Sequence, residues 1–233
     1  VSFDNVKYDF GYDLSDGADS SSTNWQVNSN ASRFGVKGDA AINSKLKATY
    51  LIEWGVDAAD GATLSNRNRS VGLAGDFGAL DVGQFDTPTK TAQGKVDQFN
   101  DMAGDLAYVL TGDVRATNII QYTSPSMSGL QAKLAIMPGE QFDDGTAATK
   151  DAKDGPADAI SASVSFTQGP IYLALAADQD LSSSIYANAA GGIGKISGQT
   201  VDDAYTLTSA VTNRMDTIRL VGQFTQGPIA LGA

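Results

Sequence analysis

Three aspartates, Asp97, Asp101 and Asp105, recur at intervals of four residues. On a helical turn that spacing puts them on one face. The cations lie in other segments. Arg33 and Lys37 alternate with Phe34 and Val36, so they take the polar face of an extended strand. Lys47 lies on the polar face of the next strand, and Arg67 and Arg69 share a parity on the one after it. Arg115 shares a face with Thr117 and Gln121 by simple alternation. The sequence contains no His and no Cys. That removes the commonest general base, thiolate nucleophiles and disulfides, and argues against a zinc site. What these charges can do is set an electrostatic field. Three like charges four apart repel, so an isolated helix does not favour the spacing. A solvated helix face is the alternative reading of the aspartates.

The elements that would carry these charges are strands. From Lys45 to Asp57 polar and apolar residues alternate, with Leu46, Ala48, Tyr50, Ile52, Trp54 and Val56 on one face. The run exceeds the five or six residues usual in a globular strand. It approaches the roughly 9–11 that a tilted strand needs to cross a bilayer. Similar runs recur along the 233 residues, with tight turns and longer polar loops taking turns between them. A membrane helix needs about 20 consecutive apolar residues. No apolar run here approaches that length. The pattern predicts an all-β, transmembrane antiparallel β-barrel with about eleven strands present. An open sheet leaves an edge in lipid, so strands are expected beyond Ala233. The chain opens directly on a strand-like run, which is expected of a mature form whose leader has been removed.

The segment 86–113 is long and lacks strand alternation. Its middle, from Val96 to Leu110, has loosely helical spacing, with Val96, Phe99 and Met102 available to anchor it. Elsewhere Phe166-Thr167-Gln168-Gly169-Pro170-Ile171 recurs as Phe224-Thr225-Gln226-Gly227-Pro228-Ile229, a turn signature between two strands. Net charge is −11, which argues against nucleic acid. Asp16, Asp19, Asp143, Asp144, Asp151, Asp154, Asp202 and Asp203 fall in stretches read as loops, where they solubilise the surface. Gly191 to Ile196 fails the phosphate-loop spacing, and Asp178-Gln179-Asp180 and Asp151 to Asp154 lack the full calcium-loop pattern. Neither a cofactor nor a metal is expected.

Several stretches, in this order, resemble the general porins of Gram-negative outer membranes. They are Ser32-Arg33-Phe34-Gly35-Val36-Lys37-Gly38, Val71-Gly72-Leu73 through Phe77-Gly78, and Val82-Gly83-Gln84-Phe85-Asp86-Thr87-Pro88. Gly112-Asp113-Val114-Arg115 with Asn118 to Tyr122, and Thr123-Ser124-Pro125 with Ser128-Gly129-Leu130, complete the set. The resemblance spans essentially the whole chain. It implies one porin barrel domain over 1–233, sixteen strands when complete and lacking its C-terminal strands here. It also implies a homotrimer in outer-membrane lipid and lipopolysaccharide, passing ions and small hydrophilic solutes by diffusion. The family's third outer loop folds inward and narrows the pore, and 86–113, after the fifth strand by this reading, stands in its place. The resemblance thus makes Asp97, Asp101 and Asp105 the acidic side of a constriction and Arg33, Lys37, Lys47, Arg67, Arg69 and Arg115 its basic wall.

One conflict arises on that wall. Val71 and Leu73 share the parity of Arg67 and Arg69. An Arg at mid-membrane costs about 2–4 kcal/mol. The arginines are therefore expected to turn inward near a strand end. The cations and carboxylates are too evenly matched to fix an ion preference. A barrel selective for phosphate or a carboxylate is an alternative, as is a soluble or surface-attached all-β adhesin. An enzyme reading finds no nucleophile and base.

Overall fold

The structure is a computed structural model, and it describes residues 2–12, 19–59, 61, 64–102, 105–108, 110–139, 155–182 and 214–232. The loop acids from Asp143 to Asp154, Asp16, Asp202, Asp203 and the Gly191–Ile196 stretch lie outside the described residues. Twelve strands occur among them: β1 (Ser2–Tyr12), β2 (Asp19–Asn28), β3 (Arg33–Asn43), β4 (Leu46–Val56), β5 (Leu64–Gly75), β6 (Gly78–Asp86), β7 (Arg115–Thr123), β8 (Leu130–Met137), β9 (Ala159–Gln168), β10 (Ile171–Ser182), β11 (Arg214–Gln226) and β12 (Ile229–Gly232). The additional strand is β2, whose Ser- and Asn-rich sequence reads as a loop. It pairs with β1 from Ser2↔Asn28 to Asp9↔Ser21, so segment 86–113 follows the sixth strand, not the fifth. β1 and β2 form a two-stranded sheet, and β3 to β12 follow one another in a ten-stranded antiparallel sheet. No described helix is long and apolar enough to cross a membrane.

The chain divides into two compact units. In the first, Val1–Gly35 with Glu53–Asn66, aromatic rings stack in pairs: Phe3 on Trp25 at 5.1 Å and Phe34 on Trp54 at 5.2 Å. Such pairs are worth about 0.5–1.5 kcal/mol beyond the area they bury. The Val56 amide donates to the Ser32 carbonyl at 2.8 Å, which fixes the end of β4.

In the second unit, Val36–Ile52 with Arg67–Ala233, alternation produces two chemically opposite faces. Cross-strand partners point the same way. Leu134↔Ala162↔Ala177↔Ile218 and Ala132↔Val164↔Leu175↔Leu220 are rows of the apolar face, and Leu220 remains 77% exposed. Phe166 and Phe224 lie on that face beside Leu173 and Ile171, close to the two hairpins of the repeated segment. Each hairpin turns on a glycine with positive φ, Gly169 at 56° and Gly227 at 58°. Short hairpins require such a residue. The opposite face is small or polar: Lys133↔Ser163↔Ala176↔Arg219 and Ala135↔Ser161↔Asp178↔Thr217. A sheet with an exposed apolar face needs an apolar environment to cover it.

Candidate functional site

Segment 86–113 leaves β6 and returns to β7 across a closed neck. The Thr87 amide donates to the Val114 carbonyl at 3.1 Å, and Asp86 pairs with Arg115 in register. Arg115 Nε lies 3.0 Å from Asp86 and donates to Asn68 at 2.6 Å, while Lys90 pairs with both Asp86 and Asp113. A short helix, α1 (Pro88–Ala92), starts here. Thr87 caps it through its hydroxyl, and Pro88 occupies the first turn, where its missing N–H is no loss.

α1 is seated on the polar face of β8 to β11. Small residues leave the room: Ser161, Ser163, Ala174 and Ala176 are all buried beneath it. Hydrogen bonds fix it from both sides. Lys133 Nζ donates to Thr91 Oγ1 at 3.1 Å, and the Thr89 amide donates to Ser161 Oγ at 3.2 Å. The Tyr172 hydroxyl donates to the Ala92 carbonyl at 2.8 Å. Arg219 donates to the Thr89 carbonyl at 3.3 Å, to Gln93 Oε1 at 3.0 Å and to the Thr111 carbonyl at 2.6 Å. One guanidinium therefore ties the start of the segment to its end. Gly94 follows with φ 63°, and a Cβ there would lie 2.8 Å from the Tyr172 ring.

The helix that the spacing over 96–110 suggests does not form among its described residues. Turns cover 98–101, and a single 3₁₀ turn covers Leu106–Tyr108. The aspartates explain it, because side-chain oxygens compete for the amides a helix would use. Asp97 accepts from the amides of Phe99 at 3.0 Å and Leu106 at 3.2 Å, and Asp105 from those of Asp101 and Ala107, both at 2.7 Å. Asp101 itself adopts φ 64°. That is the left-handed region, which a right-handed helix cannot use. Of the apolar anchors only Val96 packs, against the cluster of Ala92, Ala174, Ala176 and Val221. Phe99 and Met102 are exposed.

The basic residues separate into groups. Arg33 lies 3.9 Å from Glu53 in the first unit. In the second, Lys47 lies 3.7 Å from Asp39, and Lys37 is exposed. Arg67 is half-buried on β5. Arg69 pairs with Gln84 in a register that runs unbroken to Gly75↔Gly78. It therefore stays on the face of Val71 and Leu73 and does not turn to the polar face as expected. Arg115 also departs from simple alternation. The register shifts between Gly83↔Ile119 and Phe85↔Ala116, where Asn118 takes φ 53°. The resulting bulge puts Ala116, Ile119 and Gln121 on one face and Arg115 on the other. Arg115 belongs to the charged neck at the base of the segment. Lys133, Tyr172, Asp178 and Arg219 do not figure in the sequence reading of the site. Their signal is the row Ser161, Ser163, Ser165 opposite Ile160, Ala162, Val164, which marks a polar face with space above it. Among the described residues no cluster of acids suits a metal ion.

A family model described as Gram-negative porin matches residues 7–233, and the chain belongs to that family. The major outer membrane protein P.IA of Neisseria meningitidis serogroup C is 32% identical over 112 residues, covering 46% of this chain and 28% of that protein. An outer membrane porin protein of Bordetella pertussis is 26% identical over 162 residues, covering 64% of this chain and 42% of its own length. Each alignment thus spans less than half of the relative. Among solved structures, Salmonella typhi OmpF in complex with daunomycin superposes with a TM-score of 0.59 at 12% identity, covering 99% of this chain and 62% of the other. An anion-selective porin from Comamonas acidovorans gives 0.50 at 23% identity, covering 75% and 54%. The fold is that of the outer-membrane porin barrels, and the family places the chain in the bacterial outer membrane.

Proposed function

We propose that this chain forms a water-filled channel for passive diffusion of ions and small hydrophilic solutes, narrowed by segment 86–113. The observation that carries the reading is the seating of that segment. A polar segment is hydrogen-bonded across the polar face of four strands whose other face is apolar and exposed. Lipid suits the apolar face and water the polar one. Residues 1–233 belong to one barrel domain, assembled as a homotrimer in outer-membrane lipid and lipopolysaccharide. The channel works by size and field, with no covalent step.

Asp97, Asp101 and Asp105 supply the negative side of the constriction. Arg33, Lys37, Lys47 and Arg67 contribute to the positive side, joined by Lys133 and Arg219, while Arg115 acts in the charged neck at the start of its strand. Fixed charges at a narrow neck set ion preference locally, whatever the net charge of the protein. The test is single-channel recording from full-length protein in a planar bilayer under a salt gradient. Large ohmic steps arriving in threes are expected, and the reversal potential gives the ion preference. Folded, inserted protein that passes no current would overturn the proposal.

A further inference from the structure

The seating of α1 includes one charged group that makes no direct contact with the segment's backbone. Asp178 is 3% exposed, directly between Ser161 and Thr217 in its cross-strand row. The hydroxyls of Ser161 and Thr89 face its carboxylate, but neither oxygen receives a hydrogen bond of full geometry. A carboxylate buried this deeply needs compensating charge. The cation whose field reaches it is Arg219, one step along on the neighbouring strand, since Ala176 pairs with Arg219 and Asp178 with Thr217.

Arg219 shows the complementary feature. All three of its described hydrogen bonds go to neutral acceptors, at Thr89, Gln93 and Thr111. The other charged groups nearby are engaged elsewhere. Lys90 turns to Asp86 and Asp113, Lys133 donates to Thr91, and Asp216 accepts from the Asp180 amide near the strand end. Arg219 is thus the cation next to Asp178 on the neighbouring strand, on the floor beneath the segment.

We propose that Asp178 is a positioning residue: its charge holds Arg219 in the conformation that ties Thr89 to Thr111, and so sets where segment 86–113 sits. Its Ser161 neighbour carries the same influence to the Thr89 amide. The inference rests on the channel reading, because current is its first readout. Loss of the charge frees Arg219 to leave its carbonyls, and the segment then fluctuates over the polar face.

The test compares wild-type full-length protein with Asp178→Asn, Arg219→Gln, the double variant and Ser161→Ala in planar bilayers. Asn matches Asp in size and lacks the charge. Asp178→Asn and Arg219→Gln should each raise the rate of brief closures several-fold, and the double variant should be no worse than Arg219→Gln alone. In wild type the closure rate should rise on acidification, and in Asp178→Asn it should be high and flat. Ser161→Ala should move in the same direction and serves if Asp178→Asn does not insert. Wild-type closure rates and pH profile in Asp178→Asn, or additive effects in the double variant, would overturn the proposal. Absence of any wild-type current would instead sink the channel reading. The positioning role is then read from tryptic cleavage after Lys95 in folded protein, several-fold faster in Asp178→Asn if the role holds and unchanged if it does not.

Discussion

Lys133 on β8 and Arg219 on β11 stand in the same cross-strand row, separated by Ser163 and Ala176. Three strand spacings of roughly 4.8 Å leave between them a trough about as wide as a helix. α1 lies in it, held by Lys133 at Thr91 and by Arg219 at Thr89 and Gln93. The two small residues are as necessary as the two long ones, since bulk at either position would lift the helix out.

The two cations are unequal. Lys133→Met removes one hydrogen bond and leaves the far end of the segment tied. Such a bond is worth about 1 kcal/mol. Arg219→Met removes three and releases Thr111 as well as Thr89. Trypsin cleavage after Lys95 in folded, inserted protein should be little changed in the first variant and several-fold faster in the second. Equal rates would mean that the seating is fixed elsewhere.

Gly94 is the point where the segment turns away from α1. Its φ is 63°, and a Cβ added there would stand 2.8 Å from the Tyr172 ring. For a residue with a Cβ the left-handed conformation alone costs roughly 1–2 kcal/mol. Gly94→Ala should lower the urea unfolding midpoint in lipid vesicles by a comparable free energy. Adding Tyr172→Leu should recover only part of it, because removing the ring relieves the contact and leaves the backbone strain.

The assignment of faces has its own test. Leu175 pairs with Val164 and Leu220 in the middle of the apolar face. Leu175→Arg should destabilise the inserted protein by about 2–4 kcal/mol, as expected for an arginine at the bilayer midplane. Ser165→Arg, on the opposite face of β9, should cost much less in unfolding free energy if water lies on that side.

Most of the fold is legible in the sequence because strand alternation is a local signal. Leu46 to Val56 and Ile160 to Phe166 show their two faces without reference to any neighbour. β2 is less legible, since Asp19 to Asn24 is rich in residues that favour turns, and only pairing with β1 makes it a strand. The site is harder for the same reason. Parity assigns a face only while the register is unbroken, and the bulge at Asn118 takes Arg115 off the face of Gln121. Lys133, Asp178 and Arg219 meet only through cross-strand registers among β8, β9, β10 and β11, which no local pattern encodes.

The aspartates of the segment have two roles that substitution can separate. In the proposed channel their charges oppose anions at the constriction. As acceptors they shape the backbone, and both oxygens of Asp97 and of Asp105 are engaged by amides. An Asn at either position keeps one acceptor oxygen and turns an NH₂ group toward an amide N–H, leaving a donor unsatisfied at a cost of about 1–3 kcal/mol. Asp97→Asn and Asp105→Asn should therefore both shift the reversal potential toward anions and raise current noise. Salt distinguishes the two effects. The Debye length falls to about 3 Å at about 1 M salt, so the shift in reversal potential should shrink there. The noise should persist, because it comes from a loosened backbone that salt does not restore. If both effects vanish together at high salt, the carboxylates act through their field alone and the hydrogen bonds do not hold the segment in shape.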